Sequence, residues 1–235
     1  MSHLMRDIVL SARKAFSTSM GEQLEEGLLG LRSLLACLQA SDVGITPADL
    51  LFPRRLFSSK TAVKFMNIYE ESAFTVTAFI VPRVQRIPLH DHPDMNGLIR
   101  CVAGRIRVTS YSRLPMDRSY VLPAAVAARV SSSEASRLIP CLRLPDVGAG
   151  AEGDDVLSLT PERGNIHEIW SESEASAFVD VLGPPYSDET DCHYFKVVGS
   201  SVDCSSKQEI SWLLQEHPPS SYFTEVIPYR GPRLE

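Results

Sequence analysis

Cysteine is sparse in this chain of 235 residues, and its spacing matches no disulfide or zinc framework. The five cysteines, Cys37, Cys101, Cys141, Cys192 and Cys204, are odd in number and dispersed. They contain no C-x-x-C pair, which excludes a secreted disulfide scaffold and a zinc ribbon and points to a reducing compartment. Basic residues are also in deficit, with 23 Lys and Arg against 29 Asp and Glu for a net charge of −6. Phosphate affinity needs clustered cations, so a general nucleic-acid binder is excluded. The densest basic stretch, Arg54-Arg55 to Lys60, reads as a solvated loop. No apolar run reaches the roughly 18 residues of a membrane span. With no low-complexity block, internal repeat or Gly-rich loop, a disordered chain, a repeat array and a nucleotide fold are set aside.

What is present is a short helical lead followed by many short strands. Leu4–Met20 is mildly amphipathic and weakly resembles a mitochondrial presequence through Arg6, Arg13 and Lys14. Asp7 argues against that, so a docking helix in a cytoplasmic protein is the plainer reading. Leu24, Leu28, Leu31, Leu35 and Leu38 recur at helical steps, and Thr46-Pro47-Ala48-Asp49 has the form of a capped helical turn. After residue 60, Val63–Glu70, Phe74–Val81, Leu98–Val102 and Arg105–Tyr111 are rich in β-branched and aromatic residues. Ala103-Gly104 between the last two predicts a tight hairpin. Residues 112–136 read as an inserted loop with one short helix. Strand signals resume at Leu138–Leu144, Val156–Leu159, Ile166–Trp170, Ala177–Leu182 and Tyr194–Val198, and an Ile210–Leu214 to Tyr222–Ile227 segment closes the chain. The expected fold is mainly β: a barrel or sandwich over 60–235 with a helical segment, 1–59, packed on it as one unit.

Histidine carries the first chemical signal. In Ile87-Pro88-Leu89-His90-Asp91-His92-Pro93, the i and i+2 positions of a strand share a face, so His90 and His92 can converge. The pair alone fits a metal ion and a hydrogen-bonded rim pair equally well. A third histidine follows the turn Pro161-Glu162-Arg163-Gly164-Asn165-Ile166, at the start of a strand: His167. His-x-His with a later Gly-x-x-His resembles the metal motifs of cupin barrels (double-stranded β-helix, jelly-roll-like). Counting back from Gly104 puts Gly97 where the first cupin motif usually carries a Glu, so the carboxylate ligand is missing. Three neutral imidazoles leave the ion's charge and several coordination positions open. Such a site takes an anionic chelating substrate, for which a thiolate is well suited, and a small ligand such as dioxygen. It also describes hydrolytic zinc sites, and spacing does not name the metal.

The strings IPLHDHPDMNGLIRCVAGRIRV, GNIHEI, FVDVLGPPYSDETDCHYF and IPYRGP, with MNIYE near residue 66, closely resemble the 2-aminoethanethiol (cysteamine) dioxygenase family, relatives of the plant cysteine oxidases. The resemblance covers most of the chain. It implies a monomeric cupin barrel holding one non-haem Fe(II) on His90, His92 and His167. It further implies addition of both atoms of O2 to cysteamine, or to the N-terminal cysteine of a protein, giving a sulfinic acid and feeding an oxygen-dependent degradation route. By the same resemblance Asp180 and Tyr186 line the substrate site, where a carboxylate could hold an ammonium. The plainer alternatives are an Asp180–arginine pair in the barrel wall and a packing role for Tyr186. Cys192 and Tyr194, at i and i+2, match positions that form a thioether cross-link; otherwise Cys192 reads as a small buried hydrophobe. His193 points away. Asp94 and Met95 are carried as pocket-lining positions, Asp94 standing where relatives have Gly. Two rival readings are a non-catalytic cupin binding module and a zinc or nickel hydrolase or isomerase on the same ligands.

Overall fold

The computed structural model describes residues 3–17, 21–52, 62–115, 120–187, 190–202 and 207–234; the basic stretch at 54–60 and Cys204 fall outside them. Helix α1 (Leu4–Phe16) buries Met5, Ile8, Val9, Ala12 and Ala15, the one-sided spacing of an amphipathic helix. Helix α2 (Glu22–Ala36) follows, and of its leucine stripe Leu31 and Leu35 are buried, as is Leu38 beyond its end. The two helices approach closely at Gly27, where a Cβ would come within 2.7 Å of the Ala15 backbone. A 3-10 turn at Pro47–Leu50 carries the expected Thr46/Asp49 capping box. The Asp49 carboxylate also holds Arg230 of the C-terminal segment at 2.8 Å.

Thirteen strands among the described residues follow: β1 (Val63–Glu71), β2 (Phe74–Pro82), β3 (Arg86–His90), β4 (Asn96–Ala103), β5 (Arg105–Arg113), β6 (Ile139–Arg143), β7 (Val147–Gly150), β8 (Val156–Leu159), β9 (Ile166–Ser171), β10 (Ala175–Gly183), β11 (Tyr194–Val202), β12 (Glu209–Glu216) and β13 (Thr224–Val226). They form two sheets, β13-β1-β2-β10-β4-β8 and β6-β12-β11-β3-β9-β5-β7. Through much of the barrel the chain changes sheet from one strand to the next: β2, β4, β8 and β10 lie in the first, and β3, β5, β9 and β11 in the second. This winding is the double-stranded β-helix of a cupin-type barrel.

The alternation corrects the predicted hairpin at Ala103-Gly104. Strands β4 and β5 belong to different sheets and do not pair. The turn is the crossing point, taken by Gly104 at φ 67° with the Ala175 carbonyl too close for a side chain. The 112–136 region contains two single-turn helices, Ala124–Ala127 and Ser132–Ala135, rather than one. Strand β7, with the sequence VGAG, carries almost no strand signal; it is held by pairing with β5. Cys101 and Cys141 are buried, whereas Cys37 is exposed.

The outer face of the first sheet, including Met66, Ile68, Val76, Ala78, Ile80, Val179 and Val181, packs in one core with α1 and α2. Arg100, 3% exposed, reaches through this layer to the carbonyls of Leu38, Ala151 and Asp155. The inner face of the same sheet looks toward the second sheet. That space holds the site.

Candidate metal centre

Each histidine reaches the barrel interior by a different local device. His90 is the last residue of β3, whose pairing with β9 slips between Ile87 and His90. A bulge of this kind re-aims side chains, and Ile87 and His90 both face the cavity although three residues apart. His92 lies two residues beyond the strand, so the predicted strand alternation is not what aligns the pair. Asn165 does that: its Oδ1 accepts from the His92 backbone N–H (3.0 Å) and its Nδ2 donates to the His92 carbonyl (2.7 Å). His167 stands second in β9, directly opposite His90. The ring centroids are 4.7 Å (His90–His92), 4.7 Å (His90–His167) and 5.0 Å (His92–His167) apart, and the candidate ligand nitrogens lie within 4.8 Å of one another.

The hydrogen bonds around the rings select the nitrogens that face inward. His90 Nδ1 is 2.8 Å from the Pro88 carbonyl, which only accepts, so Nδ1 carries the proton and Nε2 the lone pair. The Tyr186 hydroxyl donates to the Asp91 carbonyl (2.9 Å), and its oxygen is then free to accept from His92 Nδ1–H (2.6 Å). His92 Nε2 is left buried with no hydrogen-bond partner. A buried imidazole nitrogen without a partner is costly unless a ligand supplies one. Burial lowers all three imidazoles below their ordinary range, His92 well below it and His167 to about 3; for His92 and His167 the neighbouring rings add to the effect. Neutral, inward-facing, Nε2-type donors fixed through their opposite nitrogens are what a metal ion requires. At Gly97 an added Cβ would meet the side chains of Leu182 at 2.7 Å and Leu159 at 3.0 Å, so these occupy the place of a fourth, carboxylate ligand.

The rest of the site is a cavity of about 350 Å³ between the sheets. The three histidines, Asp180, Tyr186, Cys192 and Tyr194 all line it. Asp180, on β10, is 5% exposed, and its Oδ1 has no hydrogen-bond partner; burial alone raises its carboxyl to about 7. The arginine partner that would have made it a wall residue is absent among the described residues. Cys192 precedes β11 and Tyr194 begins it, so the two do not share a strand; they are nevertheless hydrogen-bonded neighbours at the cavity wall. Burial pushes the Cys192 thiol up to about 11, partly opposed by hydrogen bonds with Tyr186 and Tyr194, and the Tyr194 phenol up to about 12. Tyr186 is raised further, first by burial and then by the adjacent thiol.

Two positions do not reach the cavity. Asp94 is exposed at φ 59°, the left-handed conformation in which glycine is unstrained, and Met95 is buried. The turn after His92 carries both outside the lining, a correction to their pocket-lining assignment. The predictions also missed Asp91, which is 1% exposed. Its Oδ2 takes Arg113 at 2.7 Å and its Oδ1 takes the His193 backbone N–H (2.9 Å) and ring Nδ1 (3.2 Å). An acidic residue between two ligand-type histidines was itself the available signal. His193 is thereby occupied with Asp91 and stands outside the histidine cluster.

Comparison with known proteins agrees with this geometry. The family model PCO_ADO matches residues 34–234. The 2-aminoethanethiol dioxygenase of Mus musculus is 31% identical over 89% of this chain and 85% of its own length. The human protein of the same name is 30% identical over 89% and 82%. Plant cysteine oxidase 2 of Arabidopsis thaliana is 26% identical over 90% and 75%. With a match across most of its length and three histidines gathered in a cupin-type barrel, the chain belongs to the PCO_ADO family of thiol dioxygenases.

Proposed function

We propose that this chain is a non-haem Fe(II) thiol dioxygenase acting on aminothiols, either cysteamine or an N-terminal cysteine, with O2 as co-substrate and a sulfinic acid as product. The observation that carries this reading is the unpaired, buried Asp180 in the same cavity as three neutral imidazoles. A divalent ion on neutral ligands keeps its full positive charge and favours an anion; an ionised Asp180 in a dry wall favours a cation. An aminothiolate carries both charges a short distance apart. The names of the similar mammalian and plant proteins, for 2-aminoethanethiol and for cysteine, support the same substrate class.

A ferrous ion held by His90, His92 and His167 would supply open coordination positions and one-electron redox chemistry that leaves it unchanged overall, the electrons that reduce O2 coming from the sulfur. The protein's own residues do the rest. Asp180 orients the ammonium, and so points the sulfur at the histidines. Tyr186 fixes the tautomer of His92 and acts as a positioning residue. Phe79 and Phe178, stacked at 5.3 Å, make the floor beside Asp180 apolar and exclude water. Both oxygen atoms of O2 end on sulfur, so the thiol proton is the only one to be rehoused. Cys192 and Tyr194, both in the cavity wall, would form a thioether cross-link with loss of two hydrogens, one O2 being reduced to H2O2. Acting on an N-terminal cysteine, a monomeric enzyme of this kind in the cytoplasm would couple a protein's lifetime to oxygen.

Metal analysis of protein isolated without added metal, paired with oxygen uptake, tests the reading. About one iron per chain and uptake stoichiometric with sulfinic acid are expected, and His167→Ala is expected to lose the iron. Iron-loaded protein that consumes no oxygen with cysteamine or any Cys-initiated peptide would leave a binding module. Stoichiometric zinc or nickel with no oxygen uptake would favour the hydrolase or isomerase reading.

A further inference from the structure

The cavity is larger than a molecule as small as cysteamine needs; its volume is that of sites for drug-sized ligands, roughly 300 Å³ and above. Its extra length has a direction that strand register defines. Residues paired across a sheet share a face, and on the inner face Asp180 pairs with Thr77, which pairs with Asn67 on β1. Leu182 pairs with Thr75, which pairs with Glu70; Phe178 pairs with Phe79, which pairs with Phe65. All nine line the cavity. The middle row is polar throughout, flanked by the aromatic row on one side. It runs from the buried Asp180 to Asn67, and Glu70 ends the row beside it; Asn67 and Glu70 are both exposed at the rim.

Glu70 reaches this face only because of a bulge. The β1–β2 pairing slips between Asn67 and Tyr69, and the additional residue brings Asn67 and Glu70, three apart, onto one side, where Asn67 Nδ2 donates to Glu70 Oε2 at 3.0 Å. Among the described residues no Lys, Arg or His pairs with Glu70, although the one other carboxylate of β1, Glu71, pairs with Arg13. From Asp180 to the rim is two strand spacings, about 10 Å. That is the length of about three residues of extended chain.

We propose that this inner face is a track for the second and third residues of a Cys-initiated peptide, and that Glu70 is a specificity-determining residue selecting a cationic side chain there. The inference rests on the aminothiol reading above: with the peptide's sulfur toward the histidines and its ammonium on Asp180, the chain leaves along Thr77 toward Asn67. Cysteamine ends at Asp180 and leaves the track empty. Glu70 then meets the side chain of the second or third residue at a half-wet rim, where one charge pair sets a preference of a few-fold.

The experiment is kcat/KM for the iron-loaded full-length protein with two otherwise identical peptides, one starting Cys-Lys-Lys and one Cys-Glu-Glu. Each is expressed relative to cysteamine turnover by the same preparation, which cancels any loss of folded enzyme. The wild-type ratio is expected to favour the lysine peptide about fivefold. Glu70→Gln is expected to bring the ratio toward one, and Glu70→Lys to invert it. A wild-type ratio at or below one, or a ratio unmoved by Glu70→Lys, overturns the inference while leaving the aminothiol reading intact. Absence of turnover with cysteamine and both peptides overturns that reading, and this inference with it.

Discussion

At the scale of single residues, Asp180 is the side chain whose state depends most on what fills the cavity. Its carboxyl is raised to about 7 by burial with nothing in the protein to offset it, against an ordinary value of 3.8. Between those limits the folded state holds a proton that the unfolded chain has released, so stability falls as pH rises from about 4 to 7 and is flat above. Removing the ionisable group removes that loss. Asp180→Asn is therefore expected to raise Tm, more at pH 8 than at pH 5, by roughly 1.4 kcal/mol for each pH unit crossed inside the window. The same change is expected to lower kcat/KM for cysteamine by about 10- to 100-fold, the loss of one charge-assisted hydrogen bond. The wild-type preference for cysteamine over an amine-free thiol of the same length should disappear with it. Thermal unfolding across pH, with steady-state kinetics on the two thiols, checks both halves; a variant less stable at pH 8 and equally selective would show that Asp180 is a wall residue.

At the scale of elements, the site depends on breaks in regular structure. Bulges in β3 and β1 turn residues three apart onto one face, placing His90 beside Ile87 and Glu70 beside Asn67. Beyond β3 one backbone bond, from the Asp91 N–H to the His193 carbonyl (3.0 Å), is joined by side chains that hold the loop. Asn165 brackets His92 from the β9 side, and Asp91 ties the same loop to Arg113 on β5 and to His193 ahead of β11. Asp91→Asn keeps the shape but gives Arg113 a donor to face, a loss of about 1–2 kcal/mol for a charge-assisted bond. Because His193 follows Cys192, the variant is also expected to shift Cys192 relative to Tyr194. Iron stoichiometry and intact mass read the two ends of this tie. Wild type turned over with iron and O2 should carry a mass lower by two hydrogens, and Asp91→Asn should bind less iron and lack the deficit. Full iron and an unchanged deficit in the variant would show that the tie does not position the site.

These breaks also explain what the sequence disclosed and what it did not. His90, His92 and His167 were legible as a cluster because their residue types are rare and the motif spacing is specific, even though His92 proved to lie off the strand. Pro88 inside β3 was a readable sign of the bulge, since proline has no N–H for a ladder. The track residues Thr77, Asn67 and Glu70 were not legible, because nothing local distinguishes them from solvated strand positions. Only β2 lying between β10 and β1, with the bulge in β1, brings them together on one face. The Ala103-Gly104 turn misled for the same reason: a hairpin and a crossing between sheets share local chemistry and differ only in which strands finally pair.

At the scale of the whole molecule, the histidines link two strands of the second sheet to the segment that follows β10 of the first, so the state of the centre bears on the stability of the barrel. His90 and His167 join β3 to β9, and His92 is held by Asn165 and by Tyr186. In the metal-free protein burial keeps all three rings neutral, with His167 lowered to about 3 from an ordinary 6.5. Unfolding frees them to take up protons below pH 6.5, so their contribution to stability is lost as pH falls from about 6.5 toward 3. Asp180 acts in the opposite sense over much of that range, one carboxylate against three imidazoles. Metal-free protein is accordingly expected to have a lower Tm at pH 5 than at pH 7. Metal binds the neutral rings and adds stability by mass action, about 2.7 kcal/mol at a hundredfold excess over Kd. For a chain of 235 residues that corresponds to a rise of roughly 5–10 °C. Anaerobic melting at pH 7 with and without ferrous ion measures it; the rise should persist at pH 5, where burial still keeps the folded rings neutral, and vanish in His167→Ala. An equal rise in His167→Ala would place the stabilising ion elsewhere and separate the histidine cluster from the barrel's stability.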